Sequence, residues 1–268
     1  MTSSTEESFF ARGYSPTTGE VIYSADSGGN ENSHLYLIRN GKSLDLTPGE
    51  KTKASMLGWT KNEKQMYFQS NSRDPRYFDI YKIDIESLET TMVFKNNNAY
   101  TYNSISNNDK YLIFNQSVSR GIDKMFLYNL ETKQQAEISN QPANHRGQGF
   151  DKDDKNYYYT TNFEGEFYYL MSYNIETGAR SLVYKTEWDV VNSYLSKKDS
   201  YRVITVNEDA QNKIIVNDSK DGSSLNFKGL DNLNINSVAF SDDETLIRIN
   251  AASSNSPGDI YVYSLLTD

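Results

Sequence analysis

Positions 35, 80, 125, 170, 215 and 260 carry Leu35, Ile80, Met125, Leu170, Ile215 and Ile260. All six are apolar, and the interval is 45 residues each time. The next position is almost as regular, with Tyr36, Tyr81, Phe126, Met171, Val216 and Tyr261. A fixed period of this length marks one supersecondary unit copied along the chain. It constrains the architecture before any motif is considered. It also directs the search for function to the loops that interrupt the repeat.

The third copy shows the unit. A polar turn at Asn107-Asn108-Asp109-Lys110 precedes Tyr111-Leu112-Ile113-Phe114, a short apolar run. Such a run between turn residues reads as a strand buried on both faces. A polar stretch from Asn115 to Lys124 leads to a second run, Met125-Phe126-Leu127-Tyr128. The turn Asn129 to Lys133 leads into Gln135-Ala136-Glu137-Ile138, mixed in polarity as an outer strand should be. The turns recur in the other copies as Lys61-Asn62-Glu63-Lys64, Lys152-Asp153-Asp154-Lys155 and Asp242-Asp243-Glu244, and as Glu86-Ser87 and Glu176-Thr177-Gly178. Asp, Asn and Gly place turns of this kind. No sustained 3.6-residue apolar period is present, so helices should be rare.

Four strands in each repeat predict an all-β propeller of four-stranded blades. Six copies are expected near residues 9–48, 54–95, 100–140, 145–185, 190–228 and 235–268, forming one domain. The sixth shows no evident fourth strand before Asp268, and residues 1–8 are a candidate to supply it.

Aromatic residues make up 13% of the chain, with 21 Tyr, which suits strands whose faces stack. The net charge of −9 and the lack of a basic patch argue against nucleic acid as a partner. No apolar stretch approaches the ~20 residues of a membrane span. The polar, acidic start Met1-Thr2-Ser3-Ser4-Thr5-Glu6-Glu7 does not read as a signal peptide. The cytoplasm is the default compartment, and the periplasm follows if a leader has been removed. The absence of Cys excludes disulfides and thiol chemistry.

Catalytic signatures are missing from the sequence. The two histidines, His34 and His145, lie in different copies and belong to no metal-spaced cluster. They read as loop or strand-edge residues, His34 placed to bond a neighbouring loop. There is no Gly-x-Ser-x-Gly elbow, P-loop or dinucleotide fingerprint. The acidic clusters at Asp151 to Asp154 and Ser241 to Glu244 fail the calcium-loop pattern and coincide with the first turn of the repeat. Neither a cofactor nor a metal is expected. Channel chemistry of the glycosidase kind needs converging carboxylates. The inner-strand segments Phe9 to Arg12, Ser55 to Gly58 and Asn236 to Ala239 carry none.

The polar loops between the two buried strands are the remaining candidates for binding. They span 24–33, 70–78, 115–124, 161–167, 207–212 and 250–258. The candidate contacts to a peptide or protein ligand are Asn30, Glu31, Arg73, Asp74, Arg76, Glu164 and Glu166. Arg73, Asp74, Arg76 and Asp79 either face a ligand or pair with one another.

Three of these stretches carry a resemblance. They are Ser24-Ala25-Asp26-Ser27-Gly28-Gly29-Asn30-Glu31-Asn32, Ser70-Asn71-Ser72-Arg73-Asp74-Pro75-Arg76-Tyr77-Phe78-Asp79-Ile80-Tyr81, and Pro257-Gly258-Asp259-Ile260-Tyr261-Val262-Tyr263. The chain resembles the N-terminal propeller of the prolyl oligopeptidase family of serine peptidases, in its acylaminoacyl and dipeptidyl peptidase-like branch. TolB-like propellers share the same turns and the Ile-Tyr strand. The resemblance implies a non-catalytic domain that gates access to an α/β-hydrolase domain, none of which is present in this sequence. The paired glutamates by which dipeptidyl peptidases hold a substrate amino terminus have no match, since Glu164 and Glu166 are not contiguous. The alternative is a free-standing TolB-like propeller that binds a protein or peptide on its long-loop face.

Overall fold

The computed structural model describes residues 8–230 and 233–266. The described residues contain no helix. They form 22 strands in six antiparallel sheets, each built from consecutive strands in chain order. The chain divides into two compact units, residues 1–117 with 125–137, and residues 118–124 with 138–268.

The first unit holds sheet one, with β1 (Phe9–Tyr14), β2 (Val21–Ala25), β3 (His34–Arg39) and β4 (Lys42–Asp45). Sheet two follows, with β5 (Ala54–Trp59), β6 (Gln65–Asp74), β7 (Tyr77–Asp84) and β8 (Thr90–Phe94). Sheet three comprises β9 (Thr101–Ile105), β10 (Tyr111–Ser119), β11 (Ile122–Asn129) and β12 (Gln135–Glu137). The tip of its central hairpin, residues 118–124, groups with the second unit.

The second unit contains sheet four, with β13 (His145–Phe150), β14 (Asn156–Thr161), β15 (Tyr169–Asn174) and β16 (Arg180–Tyr184). Sheet five has β17 (Asp189–Leu195), β18 (Tyr201–Glu208) and β19 (Gln211–Asp218). Sheet six has β20 (Asn234–Phe240), β21 (Leu246–Ser253) and β22 (Ser256–Ser264). Six copies of one antiparallel unit are the architecture of an all-β propeller.

Two expectations change. Sheet five has three strands, its fourth reduced to a bridge between Asn217 and Ser224. Several of the expected loops are instead extended hairpins: β10 and β11 leave only Arg120 and Gly121 between them, and β6 and β7 only Pro75 and Arg76. The proposed closing strand at the N-terminus falls on residues 1–7, outside the described residues.

The first turn of copies two to six is built by the same chemistry. A short polar side chain at its start accepts backbone N–H groups from the residues beyond it. Ser106 Oγ accepts from Lys110 and Tyr111, at 3.1 and 2.9 Å. Asp151 accepts from Lys155 and Asn156. Thr60, Ser196 and Ser241 accept from Gln65, Tyr201 and Leu246. Local bonds of this kind stop the strand and reverse the chain. An acidic residue then takes the left-handed conformation, with φ of 61° at Glu63 and Asp109, 55° at Asp154, 63° at Asp199 and 60° at Glu244. Asp is among the residues that tolerate that region best.

Packing follows the repeat. In the first unit, Leu35 and Leu37 of sheet one bury against Met66, Phe68 and Ile83 of sheet two. Ile80 of sheet two buries against Leu112 and Phe114 of sheet three. In the second unit, Leu170 of sheet four packs on Val190, Ile204 and Val206 of sheet five. The other face of sheet five, with Val203 and Val216, packs on Val238, Ile247 and Ile249 of sheet six. Each such side chain contributes roughly 1.5–3 kcal/mol on burial. A sheet therefore depends on its neighbours to cover both faces.

Candidate functional site

In an up-and-down sheet, the connection between the second and third strands lies at the same end as the exit from the fourth. The structure ties these two segments together around the start of the third strand. His34 reaches Asp45 Oδ2 through Nδ1 at 2.8 Å and the Gly49 carbonyl through Nε2 at 3.0 Å. In the next repeat, the Asn96 N–H donates to Asp79 Oδ1 at 2.7 Å. Asp123 exchanges backbone hydrogen bonds with Ala143, and its carboxylate lies 3.1 Å from His145 Nδ1. The Tyr168 N–H donates to Asp189 Oδ1 at 2.9 Å. Both histidines are thus part of the scaffold that holds this end of the sheets.

The expected contact residues separate into two kinds. Arg73 is turned inward. Its Nε and Nη2 donate to both oxygens of Asp79 at 2.6 and 2.8 Å, and Nη2 also reaches the Asn96 carbonyl at 2.7 Å. The Asp79 side chain is fully buried. The bond to Asp79 raises the Arg73 pKa above its ordinary value. A forked guanidinium on a buried carboxylate is a strong, geometrically specific tie. Arg73 therefore positions its hairpin.

Arg76 faces outward. It bonds Asp74 through Nε at 3.0 Å and Nη2 at 2.8 Å, yet its side chain is 72% exposed. Its guanidinium also lies 5.1 Å from the centre of the Tyr77 ring. The side-chain and backbone bonds from Arg76 hold the Asp74 carboxyl down at about 2. In sheet one, Glu31 is exposed at φ 58°, and its N–H is held by Asp26 Oδ2 at 2.9 Å. Asn30 is exposed while its Oδ1 accepts from the Asn32 N–H. These five residues all belong to the first unit.

Glu164 and Glu166 belong to the second unit, in the exposed turn between β14 and β15. Tyr169 anchors that turn by donating to the Phe163 carbonyl at 2.9 Å, and Lys185 lies over its ring at 5.1 Å. A pocket of about 40 Å³ beside it is lined by His145, Thr161, Tyr169 and Arg180.

Sequence reasoning missed a larger cleft at the tight-turn end of the same unit. It measures about 290 Å³ and is lined by Asp151, Tyr158, Asp199, Arg202 and Asp218. The Arg202 guanidinium stacks on Tyr158 at 3.9 Å and donates to Ser193 Oγ at 3.2 Å. Burial lowers the Arg202 pKa and raises those of Asp199 and Tyr158. The available signal was a charged residue inside the apolar run Tyr201-Arg202-Val203-Ile204. Among the described residues, no group of three His, Cys, Asp or Glu side chains could hold a metal ion. Among the described residues, no helix is long and apolar enough to cross a membrane.

The fold and this arrangement define a β-propeller with an ordered scaffold and exposed polar hairpins at one end of its sheets. The profile of the prolyl oligopeptidase N-terminal β-propeller domain matches residues 6–268. The chain belongs to that family. It is 40% identical over 86 residues to dipeptidyl aminopeptidase BIII of Pseudoxanthomonas mexicana, a match covering 31% of this chain and 12% of that protein. A solved prolyl endopeptidase superposes with a TM-score of 0.74 at 13% identity, covering 99% of this chain and 42% of its own. TolB from Acinetobacter baumannii gives 0.56 at 15% identity, covering 96% of this chain and 60% of its own. The chain thus spans less than two thirds of each of these relatives.

Proposed function

We propose that this propeller is the non-catalytic gating and docking domain of a serine peptidase. It would serve an α/β-hydrolase domain carried outside these 268 residues. The observation that carries this reading is family membership over residues 6–268 in a sequence without a nucleophile elbow. The mechanism is steric and positional. Stiff sheets hold the hairpins in place, so that extended peptides pass and folded proteins do not. Arg76 would donate to a peptide carboxylate or carbonyl, and Asn30 would bond a peptide amide. Glu31, Glu164 and Glu166 would meet basic groups. Arg73 supports the hairpin that carries Asp74 and Arg76 and makes no ligand contact.

The test is to assay purified 1–268 against short fluorogenic peptides. No turnover is expected, together with weak peptide binding that falls on replacing Arg76 or Glu164 with Ala. Steady hydrolysis by the pure chain would overturn the proposal.

A second reading is a self-contained TolB-like propeller that recruits a protein or peptide. The TolB superposition over 96% of the chain favours it as an architecture. A stable monomeric 1–268 that captures a peptide with no hydrolase domain in its gene would support it.

A further inference from the structure

Arg202 occupies a position that the repeat otherwise keeps apolar. In copies two to six, the residue that opens the first turn donates its N–H to the carbonyl of the residue that begins the second strand. The pairs are Thr60 to Gln65, Ser106 to Tyr111, Asp151 to Asn156, Ser196 to Tyr201 and Ser241 to Leu246. The residues after these acceptors are Met66, Leu112, Tyr157, Arg202 and Ile247. All but Arg202 are fully buried aliphatic, thioether or aromatic side chains. Three of them pack onto the preceding sheet, Met66 with Leu35, Leu112 with Ile80 and Ile247 with Val203. Arg202 also turns to the preceding sheet, where its guanidinium stacks on Tyr158 at 3.9 Å. Desolvating a charge in such a slot is costly, and a break of this kind in an otherwise consistent repeat marks a functional position.

The break coincides with the cleft of about 290 Å³, lined by residues of sheets four and five within the second unit. Its charged groups keep bonding capacity for a ligand. Arg202 donates to Ser193 Oγ at 3.2 Å, and the rest of its five-donor fork is not exhausted by that bond. Asp199 takes the Lys152 N–H on Oδ2, and Asp218 takes the Lys220 N–H on Oδ1. The second oxygen of each has no hydrogen bond among the described residues. Asp151, by contrast, directs both oxygens to its own turn. Val183 and Leu195 add apolar surface to the wall. One cation and two carboxylates thus line a small space beside aliphatic side chains.

We propose that this cleft binds a small zwitterion of the amino-acid or dipeptide class. The ligand carboxylate pairs with the Arg202 guanidinium, and its ammonium lies against Asp199 and Asp218. A short apolar side chain rests on Val183 and Leu195. Opposite charges on one ligand match the mixed charge of the lining. A simple anion meets the two carboxylates, and a simple amine meets Arg202. The site lies at the tight-turn end of the sheets, away from the exposed hairpins, and does not depend on the gating function.

The test is calorimetric titration of the full-length protein with L-alanine and L-alanyl-L-alanine, beside alaninamide, N-acetylalanine and putrescine. Thermal melting is the second readout. At least one zwitterion should bind, and removal of either charge should weaken it by roughly tenfold or more. Arg202→Leu supplies the residue type of the other copies, so it should fold, and it should abolish zwitterion binding. Asp199→Asn should weaken that binding by roughly tenfold. Should Arg202→Leu fail to fold, Arg202→Lys decides, because it keeps the charge, loses the fork and should bind more weakly than the parent. Three results would overturn the proposal. Neither zwitterion could give heat or raise the melting midpoint at millimolar concentration. Binding could persist unchanged in the Arg202 variants or in the capped analogues, which would put the ligand elsewhere. Putrescine alone could bind and be lost in Asp199→Asn, which would assign the cleft to amines.

Discussion

The Lys61 backbone N–H donates to the Asp109 carboxylate at 2.8 Å, across a sheet boundary and 48 positions along the chain. The relationship recurs. Lys152 donates its N–H to Asp199 at 2.9 Å, and Lys198 donates to Glu244. In each case the acceptor is the left-handed acidic residue of the following repeat's first turn. One residue thus shapes its own turn and satisfies the exposed donor of the turn before it.

Asp109→Ala should therefore cost more than a surface substitution normally does. It removes the acceptor of Lys61 and places a less tolerant residue at φ 61°. A loss of about 1–2 kcal/mol is expected by urea denaturation. Asp109→Asn keeps an acceptor oxygen and tolerates the same conformation, so it should lose less than half of that.

Replacement of Arg73 with Ala should lower the melting midpoint by several degrees, because it leaves the fully buried Asp79 carboxylate without its cation. Arg73→Lys keeps the charge but loses the fork, and should fall between Ala and the parent. Calorimetry at neutral pH measures both. A variant of unchanged stability would return Arg73 to the set of ligand contacts.

Two carboxylates should respond to pH with opposite sign. Asp243 accepts from Ser241 Oγ and from the Thr245 N–H and hydroxyl, and these bonds, Ser241's first, hold it at about 2. Unfolded Asp titrates near ~3.9. Its contribution is complete above that value and is lost as pH falls from about 4 towards 2. Asp199 is raised, chiefly by burial, so its ionised form opposes folding at neutral pH. Asp199→Asn should raise the midpoint at pH 7 and do nothing in acid, whereas Asp243→Asn should lower it at pH 7. Melting curves across pH 2 to 7 separate the two.

Arg76→Ala should leave stability almost unchanged, within about 0.5 kcal/mol, as for an ordinary surface position. It should still weaken peptide binding. Titration calorimetry beside thermal melting checks whether the two effects part in this way.

Much of the fold was legible because burial on both faces forces apolar runs at a fixed interval. The fifth copy shows where that signal fails. Ile215 keeps the 45-residue interval but packs with Leu170 and Ile204 towards sheet four, while Val216 joins the core shared with sheet six. The hairpin between β18 and β19 closes through Asp209 and Ala210, both at positive φ, and the shift accompanies that tight closure. Apolar spacing alone cannot report it, since both neighbours are apolar. The site was less legible. Arg73 and Arg76 look alike in sequence, and only the pairing of β6 with β7 turns one onto Asp79 and leaves the other exposed. Arg202 lies in a run that reads as plain strand, and its stacking partner Tyr158 comes from the preceding repeat.

The carboxylate latch also gives the chain a direction in time. At three boundaries, the turn of one sheet waits for an acceptor roughly one repeat downstream. A ribosome releasing the chain N-terminus first would deliver that acceptor only after the next 46 to 48 residues have emerged. The three sheets whose turns carry this bond should therefore reach full protection one repeat late, so that their maturation trails synthesis by a fixed lag.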